Sequence, residues 1–433
     1  MLILMKLQFL GGAREVGRSC IHLQTKAVDT LLDCGIKMEQ GDVKFPSPRP
    51  VSTDAIVVTH CHLDHSGFLP AFFETSSKRT PYLCTPPTEP LVAMLLEDSL
   101  RIYENKRKPA YFQAGTLRHM EKFCHVMGYK KPYELFDGSQ IELFDAGHVL
   151  GSAQVLFSPP ENEGKPLLYT GDMHLNPSRM HNGADAPDCG IGTLIIESTY
   201  ADREHPDRLT LERKFCKELV TAYQDGFSVL IPAFAVGRAQ ELLMILSEND
   251  VKVPVYLDGM AQAATELTME FSSYIRDGRG FREAVRKAHF VSEERRRQLG
   301  NDSPAVIIAT AGMLEGGPIL GYLSRLSKKG KLKVFITGYQ LPGTNGRRLL
   351  DSGFINLNGK PFKVDADVQV FDFSAHSGKA ELFEYVRQVA PEKVFCVHGD
   401  EAVAVGFAQE LAENDGFDAV APALNRDYDT GDA

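Results

Sequence analysis

The segment Thr59-His60-Cys61-His62-Leu63-Asp64-His65-Ser66-Gly67 carries three histidines and an aspartate within six residues. It follows the apolar run Ala55-Ile56-Val57-Val58, whose β-branched residues predict a buried strand. The ligand-type residues are therefore expected in the loop where this strand ends and a helix can begin. The first two histidines can point the same way in extended chain, whereas the later aspartate and histidine follow a turn and can face a second point.

This segment offers the donors that a zinc-type metal ion prefers. Imidazole nitrogens and a carboxylate oxygen together suit zinc or a similar divalent ion. The alternative is a polar turn whose histidines only cap a helix. Ligand-type residues are much denser here than in an ordinary loop, so metal binding is the stronger interpretation.

Later strands also end in ligand-type side chains. Strand ends that deliver polar side chains to one edge of a sheet are the usual way in which α/β sites are built. These strand ends lie at His60, His148, Asp172, Glu197 and His398. The ligands expected for a first metal are His60, His62, His148 and Asp172. Those expected for a second metal are Asp64, His65, His398 and a bridging Asp172. Two such metals, roughly 3.5–4 Å apart, can activate a water for displacement at phosphorus.

Overall charge alone disfavours a nucleic-acid partner. The chain of 433 residues has a formal net charge of −10 at pH 7, whereas phosphate binding calls for a basic face. Metal ions offset part of the acidic excess. Lysines and arginines nevertheless cluster at Arg101–Lys108, Arg276–Arg297, Arg325–Lys333 and Arg347–Arg348. Each cluster alone is typical of a solvated helix face, and only their convergence in space would form a channel.

Composition indicates a globular protein of the cytoplasm. Hydrophobic residues make up 43% of the chain, and no apolar run is long enough to cross a membrane. The apolar start at Met1–Leu7 is too short for a signal sequence and predicts a first strand. The eight cysteines are scattered without a Cys-x-x-Cys pair. This pattern fits a reducing compartment in which the cysteines are mostly buried and inert.

The pattern of elements changes twice along the chain. Residues 5–35 alternate and are punctuated by glycine, which predicts an antiparallel start. Residues 207–350 alternate between helix and strand, which predicts a parallel sheet flanked by helices. After residue 357 the first pattern returns. We expect a first domain over residues 1–203, an inserted domain over residues 204–357, and a return to the first domain over residues 358–433.

Three local expectations concern single segments. Residues Thr116–Met127 have the spacing of a helix, and the strand pattern at Val364–Val370 is assigned to the returning first domain. The acidic tail Asp427–Asp432 is expected to fray.

The motif His-x-His-x-Asp-His, with Asp33 before it and His148 and Asp172 after it, resembles the metallo-β-lactamase superfamily. Glu197, His376 and His398 flank a long α/β insert and resemble the three added motifs of its β-CASP branch. Further stretches resemble family signatures: Glu197-Ser198-Thr199-Tyr200, Pro232–Glu241, Phe373–Gly378, and Gly338-Tyr339-Gln340 followed by Gly343-Thr344. The likeness is greatest to archaeal and bacterial nucleases related to the endonuclease of the cleavage and polyadenylation specificity factor.

The resemblance implies an αββα sandwich with an inserted β-CASP α/β domain. It also implies a hydrolase that holds two Zn²⁺ ions and cleaves RNA phosphodiester bonds, with His398 favouring RNA over DNA. Glu197 would hold His376, which would protonate the leaving oxygen or bind the scissile phosphate. Asp33 would lie behind the metal ligands and orient them. The catalytic set is then Asp33, Asp172, Glu197 and His376.

Candidate RNA contacts come from three loops. Arg238 opens a helix after Gly237, where amides and the guanidinium can both meet a phosphate. Ser374, Ser377 and Gly378 surround His376 as a backbone nest for phosphate. Gly312 either lets RNA approach closely or only forms a strand–helix turn.

Two other functions stay open at this point. One is a non-catalytic scaffold subunit of an RNA 3′-end-processing complex, although such subunits have lost ligands that are all present here. The other is a small-molecule metallo-hydrolase, which the long insert disfavours. We expect neither a KH-type Gly-x-x-Gly RNA-binding domain ahead of residue 1 nor a long C-terminal domain of the ribonuclease J type. RNA preference, internal cleavage against 5′–3′ cleavage, and homodimerisation or association with other RNA-processing proteins therefore stay open.

Overall fold

The computed structural model describes residues 5–39, 42–76, 78–105, 107–160 and 164–430. The chain divides into two compact units. The first unit comprises Met1–Pro177, Gly183–Glu204 and His376–Ala433, and the second comprises Ser178–Asn182 and His205–Ala375.

Up to residue 204, after which the chain enters the second unit, the first unit consists mainly of short strands. The strands are β1 Lys6–Gly11, β2 Cys20–Gln24, β3 Asp29–Leu32, β4 Lys37–Glu39, β5 Asp42–Lys44, β6 Ala55–Val57, β7 Tyr82–Cys84, β8 Cys124–Val126, β9 Tyr133–Glu134, β10 Gln140–Asp145, β11 Ala153–Ser158, β12 Leu167–Tyr169 and β13 Thr193–Glu197. The helices are α1 Leu63–Ser66, α2 Leu69–Thr75, α3 Thr88–Asn105 and α4 Ala114–Met120.

The second unit alternates helices and strands. Its helices are α5 Arg208–Gln224, α6 Arg238–Glu248, α7 Ala261–Glu270, α8 Gly278–Lys287, α9 Glu293–Gln298, α10 Pro318–Leu326 and α11 Asn345–Ser352. Its strands are β14 Ser228–Pro232, β15 Val255–Asp258, β16 Ala288–Phe290, β17 Val306–Ala309, β18 Leu332–Ile336, β19 Phe354–Leu357, β20 Lys360–Lys363 and β21 Asp367–Val370. The chain then completes the first unit with α12 Lys379–Val389, β22 Lys393–Val397, α13 Glu401–Asp415, β23 Asp418–Val420 and β24 Asp427–Asp429.

Two seven-stranded sheets build the first unit. Their strand orders are β24-β1-β2-β3-β6-β7-β8 and β23-β22-β13-β12-β11-β10-β9. The antiparallel pairing of β1 with β2 and of β2 with β3 confirms the expected antiparallel start. In the second sheet β13 pairs in parallel with both β12 and β22, so three strand ends reach one edge.

Hydrophobic residues from both sheets form the central core of the first unit. Phe9 and Leu83 of the first sheet pack with Val155 and Phe395 of the second. On the outer face of the second sheet, Leu382 of α12, Phe407 of α13 and their neighbours form another buried cluster. Helices also connect the strands of the first sheet. One of them, α2, buries Phe72 and Phe73. These layers confirm the predicted αββα sandwich.

A six-stranded sheet forms the centre of the second unit. Its order is β16-β15-β17-β14-β18-β21, and every pair is parallel. Apolar side chains of α10 and α11 cover one face and pack against Leu230, Ile307 and Val334. This arrangement confirms the predicted parallel sheet flanked by helices. In an all-parallel sheet the carboxyl ends of the strands all meet at one edge.

Three local expectations were wrong. The helix expected over Thr116–Met127 ends at Met120 in α4, and β8 pairs with β7 as an edge strand. The strand β21 was assigned to the returning first domain, but it pairs with β18 in the second unit. The chain accordingly re-enters the first unit at His376, and the exact domain limits remain a prediction.

The third wrong expectation concerns the acidic tail. Instead of fraying, β24 pairs with β1 and sets Asp429 opposite Lys6. Residues 431 and 432 of this tail lie outside the described residues.

Two properties bear on the cellular context of the chain. Within the described ranges, no helix has the length and hydropathy needed to cross a membrane. None of the eight cysteines forms a disulfide; six are buried, Cys124 is half-buried and Cys189 is exposed. The cytoplasmic location expected from the cysteine pattern stays a prediction.

Candidate metal centre

The histidine-rich segment lies at the end of β6, as its apolar run predicts. The four-residue helix α1 begins directly after His62, so Asp64 and His65 lie on a helical turn while His60 and His62 precede it. His60 and His65 are fully buried. His60 and His62 therefore lie between the strand and the helical turn, whereas Asp64 and His65 lie on the turn itself.

Four side chains of the first unit converge on one point. His60 Nε2 lies 3.0 Å from His62 Nδ1, and His148 Nε2 lies 3.4 Å from the same atom. Asp172 Oδ2 lies 3.7 Å from His60 Nε2 and 3.9 Å from His148 Nε2. Tetrahedral zinc with bonds of about 2.0–2.1 Å requires donor atoms roughly 3.3 Å apart. The spacing of these four donors fits such an ion.

A second group of donors lies on the other side of Asp172. Oδ1 of this aspartate is 3.3 Å from His65 Nε2 and 3.1 Å from His398 Nδ1. His398 Nε2 is in turn 3.4 Å from Asp64 Oδ2. The structure thus brings all seven residues expected as ligands into two adjoining groups. Asp172 presents one oxygen to each group.

Two buried polar atoms in this cluster make no hydrogen bond within the described part of the chain. They are His65 Nε2 and Asp172 Oδ1, which lie 3.3 Å apart without hydrogen-bond geometry and belong to fully or almost fully buried side chains. An unsatisfied buried polar atom costs free energy unless a ligand, water or ion completes it. Both atoms face the second donor group, so a metal ion placed there would satisfy them. The residues present therefore fit a metal cofactor.

Electrostatics within the cluster suit metal binding. Burial lowers the pKa of His60 well below its ordinary value, and the neighbouring His65 and His62 lower it further. Burial likewise lowers the pKa of His62. A neutral imidazole offers the lone pair that a metal requires, so both side chains are in the ligating form at neutral pH.

Asp33 holds the second donor group in place from behind. Its Oδ2 lies 2.7 Å from His65 Nδ1, which leaves Nε2 of the same ring to face the centre. Tyr169 donates its hydroxyl hydrogen to Oδ2 at 2.8 Å, and the amide of Thr59 donates to Oδ1 at 2.8 Å. Asp33 is completely buried. A carboxylate behind a ligating histidine fixes the ring and strengthens it as a ligand.

Glycine conformations bring two of the ligands into position. Gly171 has φ 53°, and a Cβ at this position would lie 2.7 Å from Cβ of Thr59. Only glycine fits there, and the resulting turn directs Asp172 to the centre. Gly147 has φ 69° and donates its amide to Asp145 Oδ1 at 2.8 Å. This turn precedes His148.

Glu197 and His376 form a pair beside the first donor group. His376 Nδ1 lies 3.0 Å from both carboxylate oxygens of Glu197. Glu197 is fully buried and also accepts the Met173 amide at 2.7 Å. The His376 and His148 rings have centroids 4.6 Å apart. Burial would lower the pKa of His376, but the carboxylates of Glu197, Asp172 and Asp64 together outweigh burial and raise the pKa to about 9.

Comparisons with known proteins agree with this arrangement. The chain is 37% identical to a probable RNase, MJ4, of Methanocaldococcus jannaschii, over 97% of this chain and 99% of that protein. A family model described as the Beta-Casp domain matches residues 239–349. The chain belongs to the β-CASP family of metallo-β-lactamase-fold ribonucleases.

Other matches cover the rest of this β-CASP protein. Residues 362–422 match a model described as a Zn-dependent metallo-hydrolase RNA specificity domain, and residues 5–192 match the anti-Pycsar protein Apyc1. RNase aCSPSF2 of Saccharolobus solfataricus is 32% identical over 96% of this chain and 83% of that protein. A crystal structure of a protein of unknown function from Enterococcus faecalis shares the fold at TM-score 0.62 and 14% identity, covering 98% of this chain and all of that one.

The predicted RNA contacts of this β-CASP protein do not lie together in one unit. Arg238, Gly312 and Ser374 belong to the second unit, whereas Ser377 and Gly378 belong to the first. Ser377 is fully buried, and its hydroxyl oxygen accepts the Leu175 amide at 2.8 Å. The Gly378 amide donates to Glu381 at 3.1 Å. The positions of Ser377 and Gly378 therefore give no support to a phosphate nest, and the other three contacts stay predictions.

Sequence reasoning missed several residues that support the ligands. Thr59 binds both oxygens of Asp33 through its hydroxyl at 3.0 Å. Ser152 Oγ accepts the amide of His148 at 3.1 Å, and Tyr169 donates to Asp33. Thr59 directly precedes the first ligand, which was a usable signal. The other two carry none, because their role depends on pairing between distant segments.

Proposed function

We propose that this β-CASP protein hydrolyses RNA phosphodiester bonds at a centre of two Zn²⁺ ions, in RNA processing or decay. One observation carries the proposal most directly: Asp172 directs Oδ2 to one group of buried donors and Oδ1 to another. A carboxylate placed in this way suits a bridge between two ions. The RNases named among its relatives, and the RNA specificity domain model over residues 362–422, support RNA as substrate.

The proposed ligands divide according to the two donor groups. The first ion is assigned to His60, His62, His148 and Asp172. The second is assigned to Asp64, His65, His398 and Asp172. When bound, the ions would supply hydroxide from water near neutral pH and offset the charge at phosphorus. The chain itself orients these ligands, since Asp33 fixes the ring of His65.

His376 is the group that we assign to the leaving oxygen. Glu197 binds its Nδ1 from a buried position, and we assign contact with the substrate to Nε2. From there it can donate a proton to the departing oxygen or bind the scissile phosphate. Its side chain is 20% exposed, which allows contact with a substrate.

Two observations weigh against the alternative functions. A scaffold subunit that does not cleave RNA would have no need to keep seven converging donors with Asp33 and Glu197 behind them. A small-molecule hydrolase would not require an inserted unit with its own parallel sheet of six strands. Hydrolysis of a small ester without RNA cleavage would support a small-molecule hydrolase and exclude the proposed ribonuclease.

One experiment tests the function and its mode together. The purified protein is incubated with the same RNA labelled at the 5′ end or at the 3′ end, with and without a zinc chelator. Internal cleavage yields defined fragments from both labels, whereas 5′–3′ degradation releases mononucleotides from the 5′ label alone. We expect the chelator to stop either reaction and added zinc to restore it. Intact RNA under all conditions would overturn the proposal.

A further inference from the structure

An exposed aromatic ring lies at the carboxyl edge of the parallel sheet in the second unit. Phe234 follows the central strand β14, and its side chain is 37% exposed. Ligands of open parallel sheets bind outside the carboxyl ends of the strands. A single exposed phenylalanine is ordinary on a protein surface, so exposure alone proves nothing. The residues on both sides of the ring, however, leave its surface accessible.

Glycines flank this ring on both adjacent strands. Gly312 follows β17 and Gly338 follows β18, the two strands that pair with β14. A Cβ on Gly312 would lie 3.2 Å from Cδ2 of Phe234 and 2.9 Å from its amide nitrogen. A Cβ on Gly338 would lie 3.6 Å from Cε2 of the same ring. Side chains at either position would crowd or cover the ring, and glycine leaves it open.

A buried glutamine fixes the two glycines relative to each other. Gln340 is 4% exposed, and its amide group donates to the carbonyl of Gly312 and to the carbonyl of Gly338, each at 3.1 Å. The spacing of the two glycines beside the ring is therefore held by a specific hydrogen-bonded bridge. Tyr339, between Gly338 and Gln340, places a second aromatic side chain at this edge and is 39% exposed.

We propose that Phe234 is a stacking platform for a nucleobase of single-stranded RNA, with Gly312 and Gly338 keeping its ring open. This inference rests on the proposed function, because it assigns a base-binding position to the RNA substrate. Bases stack on aromatic rings regardless of sequence, since every base has a π-face. The turn that carries Phe234 also opens α6 at Arg238, the residue expected to meet a phosphate. One turn can thus contact both a base, through Phe234, and its phosphate, through Arg238.

The test uses the metal-loaded full chain and single-stranded RNA with a phosphorothioate backbone that resists hydrolysis. Phe234→Ala should weaken RNA binding about tenfold, the loss typical of one stacked base. Gly338→Val should weaken it similarly, because the added side chain covers the ring without removing it. Phe354→Ala is the matched control: it removes a ring of 41% exposure from β19, outside this edge, and should leave affinity unchanged.

Abasic RNA makes the assignment specific. One abasic position along the RNA should weaken wild-type binding by the same factor and have no further effect on the Phe234→Ala protein. Equal losses in both proteins at every abasic position would overturn the platform. So would a Phe234→Ala protein that changes its association state while binding RNA normally, because the ring would then belong to a protein interface.

Failure of the proposed function has a different signature. RNA binding with the abasic pattern above, but without hydrolysis of ordinary RNA, would overturn the nuclease and keep the platform. Hydrolysis of RNA and of bis(p-nitrophenyl) phosphate, with no effect of Phe234→Ala on either, would overturn the platform and keep the nuclease. Absence of RNA binding by the wild-type protein would overturn both.

Discussion

His65 Nδ1 lies 2.7 Å from Oδ2 of Asp33, and both side chains are completely buried. This contact commits one ring nitrogen to the carboxylate and turns the other toward the donor group around Asp172. Burial would lower the pKa of His65, but the carboxylates of Asp172 and Asp33 raise it well above its ordinary value. Asp33 therefore governs the orientation of a predicted ligand and, together with Asp172, its basicity.

We predict that Asp33→Asn lowers zinc affinity by about 10- to 100-fold, because the ring of His65 loses its charged partner. Competition with a fluorescent zinc chelator measures the affinity. Tyr169→Phe is the control, since it removes one hydrogen bond to Asp33 and leaves the His65 contact intact. It should cost about 1 kcal/mol of stability and change zinc affinity little. Equal zinc affinity in Asp33→Asn and wild type would contradict the orienting role.

We predict that His376→Ala and Asp172→Ala separate catalysis from metal binding. His376→Ala should keep bound zinc and lose RNA cleavage by about 10²- to 10⁴-fold, the usual contribution of a general acid. Asp172→Ala should lose zinc and cleavage together, because it contributes an oxygen to each donor group. Elemental analysis and single-turnover cleavage measure the two quantities. A fully active His376→Ala protein would refute the acid role.

A surface histidine provides the control for that comparison. His289 is exposed on β16 in the second unit, and we assign it no part in the centre. His289→Ala should retain wild-type zinc content and wild-type cleavage. A cleavage defect there as large as that of His376→Ala would mean that histidine loss acts through general destabilisation.

The convergence of the candidate metal donors could be predicted because their signal is local. Each donor follows an apolar strand, and parallel strands such as β12, β13 and β22 bring their ends to one edge. Non-local pairing explains most of what was missed. The acidic segment at β24 looks unfavourable alone, but pairing with β1 stabilises it and sets Asp429 opposite Lys6.

The helical spacing of residues 116–127 gave a wrong prediction at the edge strand β8 for a related reason. Among the strands that the structure describes, β8 pairs with β7 alone, so its residues form a strand through tertiary contact rather than through intrinsic preference. The same holds for supporting residues such as Tyr169, whose hydroxyl reaches Asp33 from a distant strand. No spacing along the chain encodes that contact.

We predict that Gly171→Ala is more harmful than the same replacement at a positive-φ glycine that has open space around it. An alanine there must adopt φ near 53° and also place its Cβ within 2.7 Å of Thr59. Gly416→Ala is the control, because it has φ 76° and open space around it. The control should cost about 1 kcal/mol, and Gly171→Ala several times more together with zinc loss. Urea unfolding and zinc content measure both; equal costs would show that crowding against Thr59 is unimportant.

We predict a pH-dependent stability effect at Asp145, whose carboxylate accepts the Gly147 amide ahead of His148. Burial raises its pKa to about 6, with a smaller contribution from Asp185. The stability supplied by its neutral form is thus complete below the unfolded pKa of about 3.9 and lost as the pH rises through about 6. Asp145→Asn can keep the hydrogen bond without the charge, so its stability relative to wild type should rise by about 2 kcal/mol from pH 4 to pH 7. Urea unfolding of both proteins across this range measures the difference, and their comparison cancels the histidines that titrate in both. A constant difference would contradict the raised pKa.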